Sequence, residues 1–287
     1  MGMILGLVQL SNRVLGPGFR LACPETMRRI QFIELHDQAW FPPSLRDEVI
    51  DALQFGLGLL KPYGSVAALL RRAFNFSRSQ SIVDMCSGGG GPWPYLSRKV
   101  GDPAQVIHVC LTDKYPNLGA FQKLKAASED RITFRPESVD ATKVPGDLKG
   151  FRTMFTAFHH FSPQQARAIL QNAVDDGQNI GVFEMTKRAP WTMALMIPWA
   201  LMPLFFTPWI RPFCWSRLFW TYVVPVIPFV FLFDGVVSCL RTYRPEELRA
   251  MVQTLTENRH TWEIGEQSGA AGEMAITYLI GCAPARL

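Results

Sequence analysis

The residues of this sequence best suited to chemistry form a short glycine-rich segment after an apolar run. Ile82 and Val83 lead to Asp84, and the four glycines 88–91 precede Pro92. This order predicts a strand, then a tight loop, then the first turn of a helix. Glycines let the backbone come close to a ligand, and the start of a helix offers unpaired N–H groups. The segment therefore predicts a binding loop for a nucleotide-like cofactor.

The spacing of this loop separates the nucleotide classes that it could bind. A P-loop ends in Gly-Lys-Ser or Gly-Lys-Thr, and the loop contains no lysine before Lys99, which excludes that class. The dinucleotide pattern Gly-x-Gly-x-x-Gly needs a third small residue, where this sequence has Trp93 or Pro94. This weakens binding of a nicotinamide dinucleotide without excluding it. A glycine-rich surface turn with no ligand is a further alternative.

The remaining pattern consists of Asp84, Cys86, Gly88 and Gly90, each separated from the next by one residue. It resembles motif I, acid-x-Gly-x-Gly-x-Gly, of the class I S-adenosylmethionine-dependent methyltransferases, with Cys86 in place of the first glycine. The resemblance implies that these four residues contribute to a binding site for S-adenosylmethionine.

Two further acidic positions fit the same resemblance. Asp113 follows the predicted second strand, 106–111, where the family's acid binds both hydroxyls of the adenosyl ribose. Asp140 and Ala141 follow the predicted third strand, 132–134, and match the family's adenine-binding turn. Taken alone, each acid has an ordinary alternative as a helix cap or a turn residue.

Two adjacent histidines, His159 and His160, end the predicted fourth strand, 152–158. The resemblance implies that such a pair borders the face where the methyl group is transferred. Imidazole titrates near neutral pH, so either ring is a candidate base for a substrate hydroxyl. The alternative is that one of them braces the loop by hydrogen bonding. We expect no metal, because the sulfonium carbon is already electrophilic and catalysis depends mostly on placement of the acceptor.

The elements that must position these residues alternate between strand and helix. This alternation predicts an α/β protein whose parallel sheet is covered by helices on both faces. With a fifth strand at 180–184 and two late strands at 262–265 and 274–280, the resemblance implies a seven-stranded Rossmann-like methyltransferase sheet. We expect the methyltransferase core to comprise residues 79–189 and 237–287, after an N-terminal helical cap, residues 1–78.

The N-terminal cap contains a helix that we expect Ser44 to cap and Pro62 to end. Before it, His36, Asp37 and Trp40 lie close together in the chain. This run either covers the cofactor, as N-terminal helices often do in the family, or is a solvated segment with Trp40 anchored in the core.

An apolar insertion, residues 190–236, follows the fifth strand. No residue is charged in Trp191–Ile210 or in Leu218–Phe233, and each run approaches the roughly 20 residues that cross a bilayer. Both ends return to one domain, so the runs predict a helical hairpin with Arg211 and Arg217 at its tip. It spans the membrane, lies in it, or forms a soluble lid over an apolar pocket. In each case we expect a lipophilic methyl acceptor, such as a membrane lipid, a quinone-like molecule or an isoprenoid.

The composition supports a membrane-associated protein of the cytoplasm. Of 287 residues, 48% are hydrophobic and 18% charged, against roughly 25% charged in ordinary soluble domains. The net charge of +5 comes from scattered residues, which argues against nucleic acid as a partner. The 6 cysteines have no paired spacing, which favours a reducing compartment. The apolar run Met3–Leu10 is too short for a span and lacks a preceding basic segment, so we expect no cleaved signal.

Two other functions remain open from the sequence. One is a nicotinamide-dependent oxidoreductase, and the other is a non-catalytic, membrane-associated cofactor-binding protein.

Overall fold

A computed structural model describes residues 27–77, 79–100, 107–268 and 275–284, and its centre is a single sheet. The strands are β1 (Ser81–Asp84), β2 (His108–Leu111), β3 (Ile132–Phe134), β4 (Phe151–Phe155), β5 (Ile180–Glu184), β6 (Thr261–Gln267) and β7 (Ile276–Cys282). Their order across the sheet is β3-β2-β1-β4-β5-β7-β6. Strands β1 to β5 pair in parallel, whereas β7 is antiparallel to both β5 and β6. The predicted seven-stranded Rossmann-like methyltransferase sheet is confirmed.

Helices connect the strands and extend beyond them. They are α1 (Pro43–Leu60), α2 (Ala67–Ser77), α3 (Trp93–Val100), α4 (Leu118–Ala127), α5 (Pro163–Asp175), α6 (Pro190–Phe206), α7 (Trp215–Leu218), α8 (Val226–Arg241) and α9 (Pro245–Gln253). Short 3₁₀ segments occur at Pro62–Val66, Phe158–His160 and Thr207–Trp209, and a π-helical turn occupies Phe219–Val223.

The core lies on both faces of the sheet, because successive side chains of a strand point in opposite directions. In β5, Val182 belongs to the cluster under α5 and α9, while Phe183 belongs to the cluster under α2 and α3. Both side chains are buried. Strands covered on two faces have continuous apolar sequences, as Ile82 and Val83 of β1 illustrate.

Several predicted boundaries were wrong for local reasons. Strand β4 ends at Phe155, because the chain then turns into the 3₁₀ segment Phe158–His160. Helix α1 begins at Pro43, whose missing N–H is harmless at the first helical position, so Ser44 lies inside the helix and does not cap it. Val106, Met274, Cys23 and the run Met3–Leu10 lie outside the described residues.

The insertion after β5 packs against α1 and folds back on itself. A Cβ built on Gly235 of α8 would lie 2.8 Å from the Met196 sulfur of α6, so glycine permits the close approach of these two helices. A Cβ on Gly56 of α1 would likewise lie 2.5 Å from the Trp199 ring of α6. Helix α8 continues without a break from the insertion to Arg241.

The insertion differs from a simple hairpin in two respects. Arg217 was predicted at the tip, but it is buried, and its guanidinium Nη2 lies 2.6 Å from the Asp51 carboxylate of α1. The second apolar run bends by 73° between Trp215–Val223 and Val226–Arg241. Within the part of the chain that the structure describes, Pro190–Trp209 is the one unbroken helical segment long and apolar enough to cross a membrane.

Candidate active site

The glycine-rich loop leaves β1 through a series of left-handed backbone conformations. Cys86, Gly88 and Gly90 have φ angles of 56°, 53° and 102°. A Cβ on Gly90 would lie 2.0 Å from Leu124 Cδ1, so both the backbone conformation and the space require glycine there. The Ser87 N–H donates to the Thr112 carbonyl at 3.0 Å, which ties the loop to the end of β2.

Asp84 links the glycine-rich loop to the sheet through hydrogen bonds. Its carboxylate is buried and accepts the Thr153 hydroxyl at 2.6 Å and the Ser87 hydroxyl at 2.7 Å. Burial raises the pKa of Asp84 to about 6, although these hydrogen bonds favour the charged form. The side chain therefore joins β1, β4 and the loop and does not face solvent.

Cys86 lies at the first turn of the loop as a neutral thiol. Burial raises the pKa of this thiol well above its usual value, and the neighbouring carboxylate of Asp113 acts in the same direction. A nucleophilic thiolate is therefore disfavoured. The residue contributes a small, polarisable surface beside the loop.

Asp113 meets the glycine loop from the end of β2. Its Oδ2 accepts the Gly88 N–H and its Oδ1 accepts the Tyr115 N–H, both at 2.8 Å. The parallel pairing of Asp84 with Leu111 brings the two loops to the same edge of the sheet. Burial raises the pKa of Asp113, while its two backbone hydrogen bonds oppose that shift.

Asp140 lies in the next loop at the same edge. The Val139 N–H donates to the Asp113 carbonyl at 2.9 Å, so the two acidic positions are joined through the backbone. The exposed Asp140 carboxylate accepts the Thr142 hydroxyl at 2.6 Å and the Thr142 N–H at 2.8 Å, which lowers its pKa. Ala141 is buried. The structure thus gathers the predicted positions of three loops at the carboxyl ends of β1, β2 and β3.

Helix α1 covers the glycine loop. The Gln54 amide donates to the Gly91 carbonyl at 2.8 Å. A Cβ on Gly89 would lie 3.0 Å from Gln54 Cβ and 3.2 Å from the Ile50 methyl group, so helix and loop are in direct contact. Sequence reasoning did not identify Ile50 or Gln54, because nothing in α1 itself marks its packing partner.

His159 is enclosed by carboxylates. Its side chain is 1% exposed, and its Nδ1 lies 2.7 Å from Glu184 Oε2 at the end of β5. The other oxygen of Glu184 accepts the Phe158 N–H at 2.7 Å. His159 therefore fixes the corner after β4, and its ring is enclosed away from solvent.

His160 is paired with the N-terminal segment. Its Nδ1 contacts the Asp37 carboxylate and lies 3.4 Å from Glu34 Oε2. Burial disfavours the imidazolium ion, but the charges of Asp37 and Glu34 outweigh it and raise the pKa of His160 to about 9. The ring is thus protonated at neutral pH and does not accept a proton in this state.

The segment 27–42 closes over these groups. The Leu35 N–H donates to Asp234 of α8 at 2.7 Å, and His36 Nδ1 lies 2.6 Å from the same carboxylate. The Arg46 guanidinium donates to the His36 carbonyl at 2.7 Å and lies over the Tyr115 ring, 4.5 Å from its centroid. This run thus covers the corner after β4 and contacts α8, while its role as a cover for the cofactor stays a prediction.

The solvated alternative for this run was wrong. His36 and Asp37 take part in partly buried ion pairs, whereas Trp40 is 64% exposed and anchors no core. Sequence reasoning also missed Glu34 and Asp234. Asp234 did carry a signal, because it is the single charged residue between Leu218 and Leu240.

The insertion presents a broad apolar surface. Within residues 190–236, Arg217 and Asp234 are buried, which leaves Arg211 as the one exposed charge. The exposed side chains that form this apolar surface are Trp191, Leu195, Ile197, Leu201, Phe205, Trp209, Phe213, Trp215, Phe219, Tyr222, Val223, Val224, Phe229, Leu232 and Phe233. Contiguous apolar patches of this kind mark contacts with membranes or other proteins.

Comparison with known proteins gives a likeness of fold. No protein-family model matches this sequence, and no curated protein matches it. The structure of the plantazolicin methyltransferase BpumL in complex with SAH has a TM-score of 0.53 and 11% identity, over 88% of this chain and 95% of that one. The plantazolicin methyltransferase BamL, in complex with a triazolic desmethylPZN analog and SAH, has a TM-score of 0.51 and 13% identity, over 87% and 95%. The chain therefore has the fold of these methyltransferases.

Proposed function

We propose that this protein transfers a methyl group from S-adenosylmethionine to a lipophilic acceptor at a membrane surface. The observation that carries the proposal is the meeting of Gly88, Asp113 and Asp140 at the carboxyl edge of a sheet ordered β3-β2-β1-β4-β5-β7-β6. In open α/β sheets, ligands bind in the crevice outside this edge.

The chemistry of these residues fits the cofactor. An ionised carboxylate has about four lone-pair sites, and Asp113 uses two of them for the N–H groups of Gly88 and Tyr115. The remaining acceptor capacity is available for the two ribose hydroxyls. The exposed Asp140 carboxylate would accept a hydrogen bond from the adenine amino group. Gly88 and Gly90 would allow the backbone to approach the methionyl end, beside the neutral thiol of Cys86.

A nicotinamide dinucleotide fits the same loop less well. Trp93 occupies the position of the third glycine in the dinucleotide pattern, and this side chain is completely buried. Its ring packs edge-on against Phe155, with 5.7 Å between the centroids. A side chain of this size keeps α3 farther from β1 than a glycine at this position would.

The cofactor supplies an electrophilic methyl group, so the residues of the chain act mainly by placement. We propose that His159 and His160 brace the corner after β4, which is the second of the two roles considered for them. His159 does so through Glu184, and His160 through Asp37. The acceptor would then lie between this corner and the glycine loop, under the covering segment 27–42.

The apolar surface supports a membrane as the source of the acceptor. A soluble lid would bury its aromatic side chains against the domain, but Trp209 and Trp215 are 64% and 77% exposed. The insertion packs on α1, and α1 also contacts the glycine loop. The proposed lipid-facing element therefore lies one helix away from the proposed cofactor site. The 73° bend and the bond between Arg217 and Asp51 favour a hairpin lying in the membrane surface over two complete spans.

Calorimetry with S-adenosylmethionine and with NAD tests the cofactor. We expect binding of S-adenosylmethionine by the wild type and at least tenfold weaker binding by Asp113→Ala. Tight binding of NAD alone would refute the proposal in favour of an oxidoreductase.

Methyl-labelled S-adenosylmethionine, incubated with the protein and membrane lipid extracts, tests the acceptor. We expect label in the organic phase, and much less with Asp113→Ala when the concentration of S-adenosylmethionine is limiting. Binding of the cofactor with no transfer to any extract, and no S-adenosylhomocysteine formed, would favour a non-catalytic cofactor-binding protein.

A further inference from the structure

A buried cluster of metal-ligating side chains lies beside the proposed active site. Glu34, His159 and His160 each present a donor atom, and these atoms lie within 4.8 Å of one another. The Glu34 carboxylate lies 3.5 Å from His159 Nε2 through Oε1, and 3.4 Å from His160 Nδ1 through Oε2. Ligand atoms bound at about 2.0–2.2 Å to a tetrahedral ion are separated by roughly these distances.

His159 has the orientation of a metal ligand. Its Nδ1 is fixed by the Glu184 carboxylate at 2.7 Å, an arrangement that accompanies most metal-binding histidines because it sets the tautomer and the ring orientation. Its Nε2 is buried, has no hydrogen-bond partner and faces Glu34. An unpartnered buried nitrogen is costly in a protein interior, and a metal ion bound to His159 Nε2 would remove this cost.

The balance of charges around the cluster also favours binding of a cation. Three carboxylates, those of Glu34, Asp37 and Glu184, contact the two imidazoles. One guanidinium balances them, because Arg241 Nη1 lies 3.2 Å from Glu34 Oε1 while its other nitrogens donate to the carbonyls of His159 and His160. With His160 protonated this set has one excess negative charge, and a divalent ion that displaces the His160 proton neutralises it.

We propose that Glu34, His159 and His160 bind one divalent transition-metal ion, with Asp37 as the fourth ligand. Two imidazoles and carboxylate oxygen form a donor set typical of Zn²⁺ and its neighbours. The proton shared by His160 and Asp37 would leave as the ion enters.

The ion would have a structural role, since Glu34 and His159 are each 1% exposed and closed sites are structural. It would clip the covering segment 27–42 to the corner after β4. Methyl transfer itself does not depend on it.

The test uses full-length protein that has been stripped with a chelator and then titrated with Zn²⁺ in a calorimeter. We expect one ion per chain and a rise in melting temperature. Co²⁺ should give the intense visible absorption of a tetrahedral site. Glu34→Gln and His159→Gln should each weaken binding by more than tenfold, and Glu184→Gln, which only loosens the His159 ring, by about 10- to 100-fold.

His108→Asn is the matched control, because His108 is an exposed histidine on β2, away from this cluster. It should bind Zn²⁺ as the wild type does. If His159→Gln does not fold, Glu34→Gln and Glu184→Gln decide the question. Stoichiometric binding that none of these variants weakens, or no stoichiometric binding by the stripped wild type, would overturn the proposal. Binding of S-adenosylmethionine is a separate measurement and tests the proposed function independently.

Discussion

Two phenylalanines of equal exposure provide a matched test of membrane binding. Phe205, in the apolar surface, is 66% exposed, and Phe76, at the end of α2 outside the insertion, is 69% exposed. Phe205→Ser and Phe76→Ser remove the same side chain, and neither leaves a cavity. Both variants should therefore keep the wild-type stability, and any difference in lipid binding comes from location.

The expected loss follows from the area that Phe205 offers to lipid. An aromatic side chain buries 150–250 Å² when fully enclosed, so a ring that is 66% exposed offers about 130 Å². At about 25 cal/mol per Å², complete transfer from water contributes about 3 kcal/mol. A helix lying in the membrane surface immerses about half of this area, which leaves about 1.5 kcal/mol, or about tenfold in affinity.

Sedimentation with vesicles of phosphatidylcholine and a minor fraction of phosphatidylglycerol measures this affinity. Phe205→Ser should bind about tenfold more weakly than the wild type, and Phe76→Ser should be unchanged. Adding Trp209→Ser and Trp215→Ser to Phe205→Ser should reduce binding by about a thousandfold, if each ring contributes similarly. Equal binding by the Phe205 and Phe76 variants, or a wild type that remains in the supernatant, would refute the membrane surface.

Three other predictions concern the cofactor loop. Gly90→Ala should lower the free energy of unfolding by about 2–4 kcal/mol in chemical denaturation, because its Cβ would lie 2.0 Å from Leu124 Cδ1. Gly91→Ala, with no atom within 4 Å of its Cβ, should lower the free energy of unfolding by about 1 kcal/mol. Equal losses for the two variants would show that the contact with Leu124 does not matter. Asp113→Ala should weaken binding of S-adenosylmethionine by about 150-fold or more in calorimetry, since two charged hydrogen bonds to the ribose are lost and each contributes about 1.5 kcal/mol or more. Unchanged affinity with an intact fold would remove Asp113 from the site. Asp84 has a pKa of about 6 in the folded protein against 3.8 for an exposed aspartate, so its contribution to stability is present below pH 3.8 and is lost as the pH rises through 6. Asp84→Asn should remove this loss and gain about 3 kcal/mol relative to the wild type between pH 4 and pH 8, measured by chemical denaturation. Parallel stability curves for the two proteins would refute it.

The sequence by itself determined the sheet and the loops at the carboxyl ends of β1, β2 and β3. Both depend on local patterns. The apolar runs of β1 and β5 are buried on two faces, and Gly88, Gly90 and Gly91 have positive φ angles that other residues avoid. The position of Asp113 and Asp140 at this edge was predicted for the same reason, because residues that follow parallel strands must meet at one edge. Order along the chain is sufficient for such an inference.

Only the tertiary structure decided the surroundings of the histidines and of Arg217. His159 is paired with Glu184 and faces Glu34, and Arg217 is paired with Asp51, partners separated by 25 to 166 residues along the chain. No periodicity or local motif encodes such pairs, because each partner lies on a different element and its charge alone predicts solvent exposure. Desolvation makes an unpaired buried charge costly, so these groups are stable inside the protein only through partners that the assembled fold supplies.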